Sequence, residues 1–226
     1  MGRLRLGALI VVALALASPA VGAAQEAAPG GGTTEGTAIS FGARLGQRNA
    51  NNTASCGSFF TPGFPPSDFA SCTIISQNFT TGEGTTPPAG RGTITSVRIK
   101  VGPTTGPMRL TIMRAFRNAF DNSDYRCCTA VRTTGTFTPT RNATTRITTN
   151  LPVTQSRVPY SSGFYVDDKL ALTMLTGNTP IPASLDGNAS AFYSIWFPRA
   201  LINVPRPGPF SGASATLTLR AVWQPT

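Results

Sequence analysis

Across residues 92–175, apolar and polar side chains alternate with period two in several runs. Successive side chains on a strand point to opposite faces, so this is the pattern of half-buried strands. In residues 93–101, Val97, Ile99 and Val101 fall on one face and Ser96, Arg98 and Lys100 on the other. In residues 108–114, Met108, Leu110 and Ile112 oppose Arg109, Thr111 and Met113. Gly102-Pro103-Thr104-Thr105-Gly106-Pro107 lies between the two runs. Each proline fixes its own φ and moves its predecessor out of the helical region. The pattern therefore predicts an antiparallel hairpin with a six-residue loop. A third such strand runs over residues 164–175, with Leu170, Leu172 and Met174 on one face and Lys169, Ala171 and Thr173 on the other.

Further strands are predicted from Ile39 and Phe41, with Leu45 as their furthest reach, and over residues 73–79, 129–137 and 146–153. In the last of these Ile147, Thr149, Leu151 and Val153 share a face. Residues 191–198 are apolar on both faces, with Phe192 and Trp196 opposite Tyr193, Ile195 and Phe197. Such a strand is normally central and covered on both sides, or else one face offers Trp196 to a ligand. Near the C-terminus, Ala215, Leu217, Leu219, Ala221 and Trp223 face inward, and Thr216, Thr218 and Arg220 face outward. No window after the N-terminus repeats apolar residues at helical spacing. Many short strands broken by Gly and Pro predict an all-β antiparallel β-sandwich of jelly-roll type.

The first residues have a different character. Arg3 and Arg5 precede an apolar run over residues 6–17, and Val21-Gly22-Ala23 fits a small-x-small cleavage site. Residues 1–23 are expected to be a signal peptide, residues 24–36 a flexible linker, and residues 37–226 a single β-sandwich domain. No lipoprotein cysteine follows the cleavage site and no second hydrophobic tail closes the chain, so a secreted protein without a membrane span is expected. The chain carries 19 basic and nine acidic residues. Without Arg3 and Arg5 the balance is 17 against nine, a net +8. A basic protein attracts polyanions. The cations are scattered singly through the strands, and specific nucleic-acid binding is not expected because no nucleic-acid module is recognisable.

Four cysteines in an exported chain predict two disulfides. Cys127 and Cys128 are adjacent, and on a strand they would point to opposite faces. The expected pairing joins each of them to one of Cys56 and Cys72, stapling the Phe- and Pro-rich residues 57–71 to the sheet. The alternative is Cys56–Cys72 with a Cys127–Cys128 bond. The phenylalanines from Phe59 to Phe69 are expected to cap the core. The polar run at Asp121, Asn122 and Asp124 is a weak candidate for calcium, whose ligands are hard oxygens. It does not follow the EF-hand pattern, and a plain turn is the expectation.

The chain contains no histidine. Ser-His-Asp and Cys-His hydrolases, and histidine-ligated zinc hydrolases, are therefore excluded. Gly30-Gly31-Gly32 lies in the linker and is no phosphate loop. A two-carboxylate hydrolase survives formally, but Asp167 and Asp168 are neighbours whose side chains diverge on a strand, and a turn at the start of the strand is the expected reason for them. No cofactor is implied and the protein is expected to be non-enzymatic.

The runs Gly92-Thr93-Ile94-Thr95-Ser96-Val97-Arg98-Ile99-Lys100-Val101-Gly102 and Gly106-Pro107-Met108-Arg109-Leu110-Thr111-Ile112-Met113-Arg114 are followed by Cys127-Cys128-Thr129, Phe137-Thr138-Pro139, Leu151-Pro152-Val153 and Leu170-Ala171-Leu172. Together they resemble a group of uncharacterised exported β-sandwich proteins common in high-GC Gram-positive bacteria. The resemblance covers about residues 92–182 and implies fold and export, with no catalytic residue. The strand order is more loosely similar to that of jelly-roll modules that bind carbohydrate, although no platform of exposed Trp and Tyr is apparent.

Two functions follow as expectations. One is a binding module for a polysaccharide, cell-wall or other environmental polymer, with Trp196 or the basic residues Arg98, Lys100 and Arg109 facing the ligand. The other is a structural, self-assembling protein of the cell exterior that uses exposed strands or the Phe-rich lobe.

Overall fold

The computed structural model describes residues 36–50, 54–59, 69–78, 83–118, 124–156, 164–184, 191–206, 209–213 and 215–226. The expected signal peptide, nearly all of the linker, most of the Phe-rich lobe, and Asp121 and Asn122 of the calcium candidate lie outside them. Residues from Glu35 to Thr226 form one compact unit.

Among the described residues there are twelve strands and one short 3-10 turn at Cys56–Phe59. The strands are β1 (Ile39–Gly42), β2 (Cys72–Asn78), β3 (Gly90–Lys100), β4 (Met108–Asn118), β5 (Asp124–Thr133) and β6 (Thr144–Gln155). They continue with β7 (Phe164–Met174), β8 (Ala183–Ser184), β9 (Ala191–Trp196), β10 (Phe210–Ala213), β11 (Thr216–Leu217) and β12 (Leu219–Pro225). Ten of them make one antiparallel sheet in the order β1-β12-β3-β6-β7-β2-β9-β10, with β4 beside β7 and β5 beside β4; β8 and β11 make a second, two-stranded sheet. The fold is all-β, antiparallel and disulfide-stapled, as the alternation predicts.

β7 is where the large sheet divides. β4 covers one edge along its whole length. On the other edge β2 pairs residues 172–174 and β6 reaches only Asp167. The sheet curls, and the inner faces of its two arms share one core. Val97, Ile99 and Val101 from one arm meet Met108, Leu110, Ile112, Leu170, Leu172 and Met174 from the other in that core. These are the inward triplets that the period-two pattern selects. Ile94 joins them although its parity differs, because the β3–β12 register shifts around Thr95. An extra residue at a bulge moves the following side chains to the other face.

Two expectations fail here. β3 and β4 are not a hairpin: β3 pairs β12 and β6, whereas β4 pairs β5 and β7. Residues 101–107 carry the chain from one arm to the other. They are held by bonds from Val101 N to Ala143 O (3.0 Å), from Asn142 N to Gly102 O (2.8 Å) and from Leu175 N to Pro107 O (3.1 Å). The expected C-terminal strand is also two strands. Thr218 lies between β11 and β12, and its hydroxyl donates to Lys100 O while its amide donates to Pro182 O. Thr216 and Thr218 are therefore fully buried, not outward.

The expected cysteine pairing is also overturned. Cys56 and Cys72 are bonded to each other, which is the bond the alternative pairing requires. Cys128 too is disulfide-bonded. The bond fastens residues 54–57 to β2, and bonds from Gly57 N to Gly177 O and from Ile181 N to Ala54 O hold the same segment from its other side. Phe69 is buried and packs against Phe197 with ring centroids 5.0 Å apart.

Candidate functional site

Arg98 is the outward residue of β3 at a position where both neighbouring strands also present arginine. It stands opposite Arg220 of β12 and Arg146 of β6. Neighbouring strands lie about 4.8 Å apart, so the row spans roughly 10 Å. Gly42 of β1 continues it beyond Arg220. Gly42 has φ +96°, and a Cβ there would come within 2.4 Å of Leu219 O. Only glycine lets the chain leave β1 in this conformation.

The loop that follows Gly42 turns over the row. Lys100 Nζ donates to Leu45 O (3.2 Å) and Arg48 O (2.6 Å). Glu83, 3% exposed, accepts from the Arg44 amide (2.9 Å) and from the Arg48 guanidinium. Between loop and strands lies a groove of about 620 Å³, lined by residues 44–47, Arg98, Lys100, Thr144 and Arg220. Among the described residues, no carboxylate pairs with Arg98, Arg146 or Arg220. Guanidinium groups bind phosphate and carboxylate in a bidentate fork. A row of them without counter-charge is suited to an anionic chain lying across the strands.

The other expected site residues fall elsewhere. Arg109 lies on the other arm of the sheet, where its Nε donates to Thr136 Oγ1 at 3.0 Å. The structure therefore joins Arg98 and Lys100 and separates Arg109 from them. Trp196 is 2% exposed and packs with Ile75, Met113, Ala171 and Ala200 in a second cluster. It offers no face to a ligand, because the segment after β9 folds back over it. Ala200 N donates to Thr73 Oγ1 (3.0 Å), and Asn203 N to Ala130 O (2.8 Å). β9 lies between β2 and the edge strand β10, and is covered at Ile195 and Trp196 but not at Phe192, which is 41% exposed. Asp124 begins β5, and its calcium partners lie outside the described residues.

Asp167 and Asp168 diverge as expected, but from within β7 and not from a turn at its start. Asp168 is fully buried, with Arg114 donating through Nε (2.7 Å) and a terminal nitrogen (2.8 Å), and Thr154 N donating to it at 2.8 Å. Asp167 pairs with Lys169 at 3.3 Å. Asp168 ties β7 to β4 and β6, whereas Asp167 pairs within β7; the two face different sides, so the pair does not form a two-carboxylate site.

Arg220, which lines the groove, and Arg146, which flanks Arg98 in the row, are the residues that sequence reasoning missed as ligands. Each is readable as outward-facing, but their alignment with Arg98 depends on register, which the alternation does not encode. Comparison with protein-family models, curated proteins and solved structures returns no match.

Proposed function

We propose that this protein is a non-enzymatic, exported binding module for an anionic polymer of the cell envelope or surroundings. The observation that carries this reading is the row Arg220–Arg98–Arg146 beside the groove closed by Lys100. A polyanion releases counterions when several cations engage it together, which scattered surface charge does poorly. The fixed strands hold the three side chains in order before the ligand arrives, so little ordering cost remains at binding. Retention of the purified chain on anionic cell-wall polymer, on a neutral polysaccharide and on polyphosphate resin tests the reading. Retention on the anionic supports that is lost in Arg98→Thr/Arg220→Thr supports it. Equal retention of that variant would refute it.

The exposed apolar residues Leu201 (53%) and Phe210 (61%) favour self-assembly as a second reading. A concentration-dependent oligomer that disappears in Phe210→Ser would support it.

A further inference from the structure

A second pocket, of about 90 Å³, lies on the outer face of β4 and β7, where Arg109 and Arg199 line it together with the hydroxyl-bearing Thr111, Thr133 and Thr173. Its polar wall holds the buried hydroxyls of Thr111 and Thr173, which continue inward to Thr73, and the exposed Thr133. Thr73 Oγ1 accepts from Ala200 N and is hydrogen-bonded to Thr173 Oγ1 at 3.0 Å, a bond to which either hydroxyl can give the proton. Where Thr73 gives it, Thr173 can donate to Thr111 Oγ1 at 2.8 Å. Thr133 directs its proton to Leu110 O at 3.0 Å and stands 3.5 Å from Thr111 Oγ1, the limit of a hydrogen bond. Each hydroxyl has one proton to give. With Thr73 donating first, the chain ends at Thr111, whose proton can turn to Thr133 or to a bound oxyanion. Hydrogen bonds in such a chain polarise one another. Such a donor beside two guanidinium groups is matched to an oxyanion.

The volume sets the rest. Ligand pockets for whole small molecules begin at roughly 300 Å³, so this one takes a headgroup and leaves the remainder of the ligand outside. Leu201 and Ile202 line its mouth and are 53% and 42% exposed. We propose that this pocket binds the oxyanion headgroup, phosphate or carboxylate, of a single-chain amphiphile whose alkyl chain lies over Leu201 and Ile202. The site is separate from the arginine row and does not depend on the function proposed above.

The test is calorimetric titration of the full chain with octyl phosphate, octanoate, inorganic phosphate and octyl glucoside, all below their micelle concentrations, and sedimentation with anionic vesicles. Octyl phosphate should bind more tightly than inorganic phosphate, and octyl glucoside should not bind. Arg109→Gln and Arg199→Gln should each weaken octyl phosphate about tenfold, the scale of one charge-assisted hydrogen bond. Thr111→Val should weaken it and Thr111→Ser should restore it, with circular dichroism confirming the fold of each variant. Comparable octanoate binding would mark a carboxylate ligand as equally acceptable. Octyl glucoside binding as tightly as octyl phosphate, unchanged affinity in the two arginine variants, no binding in the millimolar range, or sedimentation with vesicles without binding of the monomeric amphiphiles would each overturn the proposal.

Discussion

Arg98 and Arg220 stand directly opposite each other on adjacent antiparallel strands, and Arg146 flanks Arg98 on its other side. Like charges opposite each other in a sheet are destabilising by about 0.2–1 kcal/mol per pair. The central arginine thus works against the fold. Arg98→Thr removes both contacts and places a good strand former in β3. It is expected to raise the unfolding free energy by about 0.5–1 kcal/mol, more at low salt than at high salt, while weakening polyanion binding. Chemical denaturation at two salt concentrations reads the first effect. A variant that loses both stability and binding would mean that Arg98 is there for the sheet.

The Asp168 carboxylate is the opposite case, a buried charge with every visible demand met by Arg114 and Thr154 N. Removing one partner of a buried pair leaves the other charge stranded, at a cost of about 3–5 kcal/mol. Arg114 is 29% exposed on its side chain, so water partly solvates it when Asp168 is removed, whereas removing Arg114 strands a fully buried carboxylate. Arg114→Met is therefore expected to lower stability by about 3 kcal/mol, and Asp168→Ala by less. Denaturation midpoints of the two variants check this order. A neutral Asp168→Ala would show that the β6–β7 junction does not depend on the pair.

Gly92 is required by packing. A Cβ on it would lie 2.3 Å from the Trp223 indole and 2.4 Å from Gln224 O. Trp223 is a 4% exposed member of the main core, so it has little room to retreat. Gly92→Ala is expected to destabilise by about 1–3 kcal/mol, the usual cost of overpacking, and to change the near-ultraviolet tryptophan signal. A wild-type melting temperature with an unchanged spectrum would count against this packing.

The Cys56–Cys72 bond closes a loop across a sequence separation of 16. Loops of that size are stabilised by about 3 kcal/mol. Cys56→Ser/Cys72→Ser should lower the unfolding free energy by about 2–4 kcal/mol and loosen residues 54–57 first, as amide exchange would report. Arg98, Arg146 and Arg220 lie on strands away from this segment, so polyanion affinity below the melting transition should be unchanged.

One core face of β3, β4 and β7 was legible in the sequence because period two is a local property, but the burial of Thr111, Met113, Lys169, Ala171 and Thr173 on the second face of β4 and β7 was not. Val97, Ile99 and Val101, and likewise Leu170, Leu172 and Met174, required nothing beyond alternation. Partner choice is not local. The loop between β3 and β4 contains the residues of a hairpin turn, yet β3 finds β12 more than a hundred residues later in the chain. Thr218 reads as an outward residue until the strand changes sheets around it. Trp196 reads either as covered or as offered to a ligand, and residues 199–206, which carry no period of their own, cover it. The arginine row failed to show for the same reason: three outward arginines are visible in the sequence, but the register that aligns them is not. Cysteine spacing likewise leaves several pairings open, and sheet geometry selects Cys56–Cys72.

The most direct measurement is the salt dependence of affinity for polyphosphate, by fluorescence anisotropy. Three variants suffice: the wild-type chain, Arg98→Thr/Arg146→Thr/Arg220→Thr, and Arg91→Thr/Arg132→Thr/Arg141→Thr, which removes equal charge from exposed positions outside the row. Each phosphate neutralised on a flexible strand contributes about 0.7 to the slope of log affinity against log salt. The row variant should lose about two units of slope and most of its affinity, and the control should keep nearly all of both. Equal losses in the two variants would mean that net charge alone attracts the polymer and that the row is no site.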